Sequence, residues 1–352
     1  MIIHGRTVEQ SIDRDERAAF VKEIVVTGGR VPLAMVRKRR ASDGGGTHAP
    51  VLLVHGFGQN RYAWHLPARS LANHLAAAGF DTYNLDLRGH GRSRQLGARR
   101  CRSVEEYVRE DLPMAVEEVQ AQSGGRPVFL VGHSLGGLVS YGAAPGLEGA
   151  VRGVASLGSP YHFTRGSLSL TAVSLLVTTL TGAGVPLGNA NLSIKHVGVA
   201  LTALRRIAES PLYPIPWRGW HKGALEADVL HQHFTLAFDR AGVGELAEMF
   251  SWGSAGHFLG EGGAYTERFE KLDIPLLVLA GIHDDLAPPE SVKPAFDRSR
   301  ARDKTYSALP LGHIDLLMGR DAPLMTWSVL RRWLEVRVGV RESKPAVSAR
   351  AA

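Results

Sequence analysis

The sequence predicts an α/β protein: a mostly parallel, eight-stranded sheet with helices on both faces and a helical cap inserted after the sixth strand. Three observations carry this reading. Short β-rich runs alternate with helical patterns over much of the chain. That rhythm stops between Ser159 and Leu272 and then resumes. The interruption is too long for a structureless loop, so helices of its own are expected there. The expected division is a core of residues 1–160 and 271–340, a cap or lid of residues 161–270, and a disordered polar tail of residues 341–352.

The elements follow in order. Ile24–Thr27 and Val31–Arg37 suggest an opening hairpin with Gly28-Gly29 at its turn. Val51–His55 is a buried strand, followed by a helix from about Tyr62 to Ala78 that stops at Gly79. Thr82–Leu87 is the next strand, and Ser103 or Asp111 is placed to cap the helix after it, with Pro113 in its first turn. Val128–Gly132 is a short apolar strand running directly into His133-Ser134, and Leu135–Ala144 has a helical pattern. Gly153–Leu157, Ile274–Ala280 and Thr305–Leu309 complete the strands, and a helix near Pro323–Val336 closes the sheet.

Composition narrows the function classes only a little. With 352 residues, 44% hydrophobic and 21% charged, the chain is long enough to bury a core without staples, and Cys101, the single cysteine, has no internal disulfide partner. No apolar h-region follows the N-terminus, so no secretory signal is expected and a cytoplasmic location is favoured. The uncharged stretch from Gly166 to Ile194 is interrupted by Ser, Thr, Gly and Pro186; it suits a buried or interfacial helix with peripheral membrane contact, not a transmembrane span. The net charge of +7 gathers in Arg37-Lys38-Arg39-Arg40 and in Arg88, Arg92, Arg94, Arg99, Arg100 and Arg102. Without a nucleic-acid motif beside it, this charge is expected to decorate solvated loops, and no nucleic-acid partner is expected.

Gly132-His133-Ser134-Leu135-Gly136 carries the chemistry. A hydroxyl becomes a useful nucleophile only when a base takes its proton and the backbone exposes its oxygen. G-x-S-x-G between a strand and a helix does the second, because the serine sits on a strained turn that glycines on either side allow. Such an elbow needs two backbone donors for an oxyanion, one after the serine and one after the third strand. Leu135 and Phe57, the latter in His55-Gly56-Phe57-Gly58, stand at those places, with His55 bracing its loop.

The acid should come next in the chain and the histidine last. Strand Ile274–Ala280 is followed by Gly281-Ile282-His283-Asp284-Asp285-Leu286-Ala287-Pro288; spacing from Gly281 and Pro288 favours Asp284, with Asp285 the alternative. His313, after the last strand and before the closing helix, is the candidate base, and His283 is its rival. The pair His231 and His233 lacks a third ligand at metal spacing, so no metal is expected. In Asp86-Leu87-Arg88-Gly89-His90-Gly91-Arg92-Ser93, the glycines suggest a tight loop braced by an Asp86–Arg88 pair.

With these residues in place, the sequence resembles the α/β-hydrolase superfamily over nearly its whole length, from His55-Gly56-Phe57-Gly58 through the elbow to His313. Two stretches are similar to the branch holding acid-lipase-type enzymes and polyhydroxyalkanoate synthases. They are the run from Trp64 and Ser70 to Ser93, and Gly312-His313-Ile314-Asp315 followed by Gly319-Arg320-Asp321-Ala322-Pro323. The resemblance implies acyl chemistry on esters or thioesters with sizeable apolar acyl groups. The sequence departs from the synthases, whose nucleophile is cysteine, and from epoxide hydrolases and haloalkane dehalogenases, whose nucleophile is aspartate; here it is Ser134.

The expectation is therefore a serine hydrolase of carboxylic esters, esterase- or lipase-like, working through Ser134, Asp284 and His313 without a cofactor. The alternative is an acyltransferase that uses the same residues and an acceptor other than water. A small-molecule or lipid-like ester is the expected partner, and Leu175 and Leu176 in the apolar run Leu168–Leu180 are expected to line its acyl pocket.

Overall fold

The computed structural model describes residues 1–42, 49–185, 191–210, 219–255, 258 and 263–338. The proline- and aromatic-rich run Tyr213-Pro214-Ile215-Pro216-Trp217 and the expected disordered tail, residues 341–352, lie outside the described residues. Among the described residues nine strands form the main sheet, one more than expected. The extra strand is β1 (Ile2–Asp13), which pairs antiparallel with β2 (Glu16–Val26). Its side chains are mostly exposed, so it has no apolar alternation to betray it; backbone pairing to β2 holds it as an edge strand. The insertion consequently follows the seventh strand of the chain, not the sixth.

β2 pairs antiparallel with β3 (Ala34–Arg40), and β3 with β5 (Asp81–Asp86). From there the sheet is parallel through β4 (Pro50–Val54), β6 (Val128–His133), β7 (Val151–Leu157), β10 (Leu276–Gly281) and β11 (Lys304–Leu309). The inner strands are buried on both faces, which is why they appear as unbroken apolar runs. Successive residues serve opposite cores: Leu52, Val54, Leu130 and Val278 pack on one side, Val51, Leu53, Val131 and Leu279 on the other. Strand order reverses around β4, the arrangement that opens a crevice at the carboxyl ends of the strands.

Several local expectations change. The helix expected over Tyr62–Ala78 is a short 3-10 turn, Arg61–Ala63, and a helix, Leu71–Ala77; Pro67 lies between them, and Ser70 Oγ caps the second by accepting from the Asn73 N–H at 3.0 Å. Neither Ser103 nor Asp111 caps Leu112–Gln122. Asp111 instead accepts from the Arg88 backbone and from Arg88 Nε at 2.6 Å. Arg88 also reaches Glu106 and Glu110, while Asp86 holds Arg61 and the Arg92 N–H, so the expected Asp86–Arg88 pair does not form. The two basic clusters are not simply solvated: Arg37, Lys38 and Arg88 are buried.

Between β7 and β10 the described chain is largely helical, with Leu168–Gly182, Ile194–Ala203, Val243–Ala255 and Ala264–Lys271 as its longer helices. A small antiparallel pair, β8 (Asn191–Ser193) with β9 (Arg240–Gly242), is an unexpected part of it. Among the described residues no helix is long and apolar enough to cross a membrane.

Candidate active site

Ser134 follows β6 at φ 52° and ψ −122°, the only non-glycine residue at positive φ among those described. Such a conformation costs on the order of 1–2 kcal/mol for a residue with a Cβ. It persists because the chain on both sides is pinned. The Ser134 N–H donates to the Leu157 carbonyl at 3.0 Å, and helix Leu135–Ala143 begins at once. The turn fits only with glycine beside it: a Cβ on Gly136 would stand 2.2 Å from the Val54 carbonyl oxygen. Leu135 occupies the first helical position, where a backbone N–H has no acceptor within its own helix.

The loop after β4 comes close to the serine, since a Cβ on Gly56 would lie 3.1 Å from Ser134 Cβ. His55 braces it: the Leu87 N–H donates to His55 Nε2 at 3.1 Å, so Nδ1 carries the proton and donates to the Gly56 carbonyl at 3.0 Å. The Gly56 N–H donates to Gln59 Oε1 at 3.1 Å. The insertion clamps the same loop, because the Asn60 N–H reaches the Ala237 carbonyl and the Asp239 N–H reaches the Gly58 carbonyl, each at 2.8 Å. Phe57, between these ties, lines the cavity that Ser134 lines.

Asp284 follows β10 and is 3% exposed. Its Oδ1 accepts from the Leu286 and Ala287 N–H groups at 2.9 and 2.7 Å, leaving Oδ2 at 2.7 Å from His313 Nδ1. Asp285 is exposed. His283 is also exposed, stacks on His221 at 4.0 Å between ring centroids and is not among the residues lining the cavity that Ser134 lines. His313 lines the cavity with Ser134 and Phe57, and contacts Asp284, so the described structure brings together the four residues expected from sequence to be nucleophile, acid, base and oxyanion loop.

The cavity measures about 450 Å³ and is walled mainly by apolar side chains, among them Phe163, Leu170, Val173, Phe234, Met249 and Phe250. Leu175 and Leu176 are not among them; they are 58% and 59% exposed. Helix Leu168–Gly182 does face the cavity, but through Leu170 and Val173; at about 100° per residue Leu175 points about 170° from the mean direction of that pair and Leu176 about 90° from it. The helix was legible in the sequence, whereas its rotation depended on what it packs against.

Other residues at the site were missed. His133, inside the elbow motif, donates from Nε2 to the His313 carbonyl at 3.1 Å. Burial, aided by His313, holds its ring well below the ordinary histidine pKa, so it stays neutral. His233 is fully buried beside Gln59, with burial and then His313 pushing it down to about 3, whereas His231 is exposed. Among the described residues no three His, Cys, Asp or Glu side chains are grouped as metal ligands.

Asp315, two residues beyond His313, is fully buried. Its Oδ2 accepts from the Gly312 N–H at 2.8 Å and the His221 N–H at 2.7 Å, tying the histidine loop to the insertion. Burial outweighs those donors and pushes the carboxyl up to about 7. A pKa raised in the folded state gives stability that is complete below the unfolded value, about 4, and is lost as pH rises toward 7. Asp315→Asn keeps an acceptor and removes the titration. Its melting temperature relative to the native chain is therefore expected to improve steadily from pH 4 to pH 7; a constant difference would show that Asp315 does not titrate there.

A family model described as the alpha/beta hydrolase family matches residues 51–325. The chain is 27% identical over 267 residues to a monoacylglycerol lipase of Mycolicibacterium smegmatis, covering 74% of this chain and 79% of that protein. It is 29% identical over 119 residues to the (E)-2-((N-methylformamido)methylene)succinate hydrolase of Acinetobacter baylyi; that match takes in 34% of this chain and only 41% of the relative. The crystal structure of a carboxyl esterase from Bacillus coagulans superimposes with a TM-score of 0.64 over 91% of this chain and 99% of that one, at 17% identity. At that identity the likeness speaks for the fold alone.

Proposed function

The chain belongs to the alpha/beta hydrolase family, and from that premise we propose that it is a serine hydrolase of carboxylic esters with apolar acyl groups. The observation that carries the reading is the 2.7 Å contact between buried Asp284 and His313 on the wall of an apolar cavity that also holds Ser134. With Nδ1 facing Asp284, the free Nε2 of His313 is the nitrogen available to the serine.

In the proposed reaction Ser134 Oγ attacks the ester carbonyl while His313 Nε2 takes its proton. Asp284 holds the resulting imidazolium. The N–H groups of Phe57 and Leu135 receive the oxyanion, each contributing on the order of 3 kcal/mol to the transition state. The tetrahedral intermediate collapses, the alcohol leaves with the proton from His313, and water repeats the sequence on the acyl-enzyme. The insertion acts as the cap: it walls the cavity through Leu170, Val173, Phe234 and Phe250 and limits water around the acyl group. The exposed Leu168, Leu175 and Leu176 offer an apolar face to an aggregated, lipid-like substrate.

A panel of p-nitrophenyl esters from acetate to palmitate tests the reading. Medium or longer chains should be cleaved with higher kcat/KM than acetate, because each buried methylene contributes about 0.8 kcal/mol. Leu170→Ala with Val173→Ala should lower the ratio of decanoate to acetate kcat/KM roughly tenfold, equivalent to the loss of one or two methylene contacts. Leu175→Ser with Leu176→Ser should leave the ratio for dissolved esters unchanged. A preference for acetate would overturn the acyl-pocket assignment, and acyl transfer to an added alcohol in place of hydrolysis would favour a transferase.

A further inference from the structure

A second cavity, of about 420 Å³, lies between the N-terminal hairpin and the loop that carries Arg61, Tyr62 and His65. Its wall is cationic. Arg6, Lys22 and Lys38 stand directly opposite one another across β1, β2 and β3. Like charges in register on neighbouring strands destabilise a sheet unless something compensates them. The alternate residues of β3 show how the protein compensates elsewhere: Arg37 pairs with Asp81 and Glu23, and Arg39 with Glu23.

On the cavity face, Lys22 and Lys38 have no carboxylate partner among the described residues. Lys38 is 2% exposed, and its Nζ reaches only neutral groups, Asn73 Oδ1 at 2.6 Å and the His65 ring at 3.3 Å. Burial, then Lys22 and Arg61, pulls its pKa well below the ordinary lysine value. Lys22 lines the cavity and has no ion-pair partner among the described residues, and Arg92 Nε is buried without a hydrogen-bond partner. Glu9 and Asp86 are already engaged. Glu9, on the wall, pairs with Arg17 at 3.1 Å, and Asp86 holds Arg61 Nη1 at 2.6 Å and the Arg92 N–H.

We propose that this cavity binds a phosphate-type dianion, free or as the head of a phosphomonoester, through Lys22, Lys38 and Arg92. A carboxylate offers two oxygens, whereas a tetrahedral dianion presents acceptor oxygens to Lys22, Lys38 and Arg92 together, and its charge favours the protonated form of Lys38. The cavity is larger than the anion alone. Tyr62, His65 and Pro67 also line it and leave room for the organic remainder.

The test titrates the full chain with inorganic phosphate, replacing chloride at constant ionic strength, and follows both melting temperature and calorimetric heat. Phosphate should raise the melting temperature more than chloride does. Lys22→Gln and Lys38→Met should each weaken phosphate binding about tenfold or more, the effect of losing one charged hydrogen bond. Lys38→Met leaves the buried Asn73 Oδ1 without its donor, so the phosphate response of this variant is read against its own melting temperature, and Lys22→Gln carries the test independently. Parallel arms with glycerol 3-phosphate and with phosphatidic acid vesicles, against phosphatidylcholine vesicles, separate a soluble source from a lipid headgroup; a response in either arm that both variants lose supports the site. No response to phosphate, glycerol 3-phosphate or phosphatidic acid, or a response that survives in both variants, overturns it.

Discussion

Ser134→Ala is expected to lower ester hydrolysis by about 10⁴-fold or more and to abolish covalent labelling by a fluorophosphonate. Alanine keeps the Cβ and so inherits the same backbone at φ 52°, which makes the loss one of chemistry and not of folding. Circular dichroism and the melting temperature should therefore match the native chain. Ser134→Gly adds a second readout. Glycine adopts positive φ without the Cβ penalty, so this variant should be equally inactive and more stable by about 1 kcal/mol. Near-native turnover in either variant would remove Ser134 from the proposed mechanism.

Asp284→Asn should approach the same loss, about 10⁴-fold in kcat, while Asp285→Asn should change kcat little. The asymmetry comes from position. Asp284 is buried with Oδ2 on His313 Nδ1 and Oδ1 held by two backbone N–H groups, whereas Asp285 is exposed. An amide at position 284 can present its NH₂ to the imidazole and favour the tautomer whose Nε2 already carries a proton, leaving it unable to take one from Ser134. Measured kcat for the two variants on one ester decides the matter; a larger loss at Asp285 would move the acid one residue along the chain.

The legible parts of this protein are those whose signals are local. The inner strands appear as short apolar runs because both their faces are buried, and each run ends close to where its strand ends. The elbow shows because sterics demand glycine at Gly132 and Gly136 whatever else the protein does. Asp284 and His313 could be named because each follows a strand tip, although they stand 29 residues apart in the chain. β1 was illegible for the opposite reason: as an exposed edge strand it is held by backbone pairing, which leaves no periodic trace in side-chain polarity.

Lys38 and Arg88 illustrate a second limit. Charged runs ordinarily lie in solvent, and nothing in Arg37-Lys38-Arg39-Arg40 shows that strand alternation sends Arg37 to Asp81 and Lys38 into a cavity wall. Asp315 and Gln59 were missed because their partners, the His221 and Gly56 N–H groups, are backbone atoms that carry no sequence signature.

By itself the sequence determined the parallel sheet, the strained serine turn and the placing of Asp284 and His313 just past strand tips, since each rests on burial, sterics or spacing within a few residues. Only the tertiary structure decided which side of helix Leu168–Gly182 meets the cavity, where the insertion clamps the Gly56–Asn60 loop, and which cations are left without acids. Those outcomes depend on contacts between segments far apart in the chain. Helix rotation and charge pairing are set by whichever distant surface removes the most apolar area from water and leaves the fewest buried charges alone.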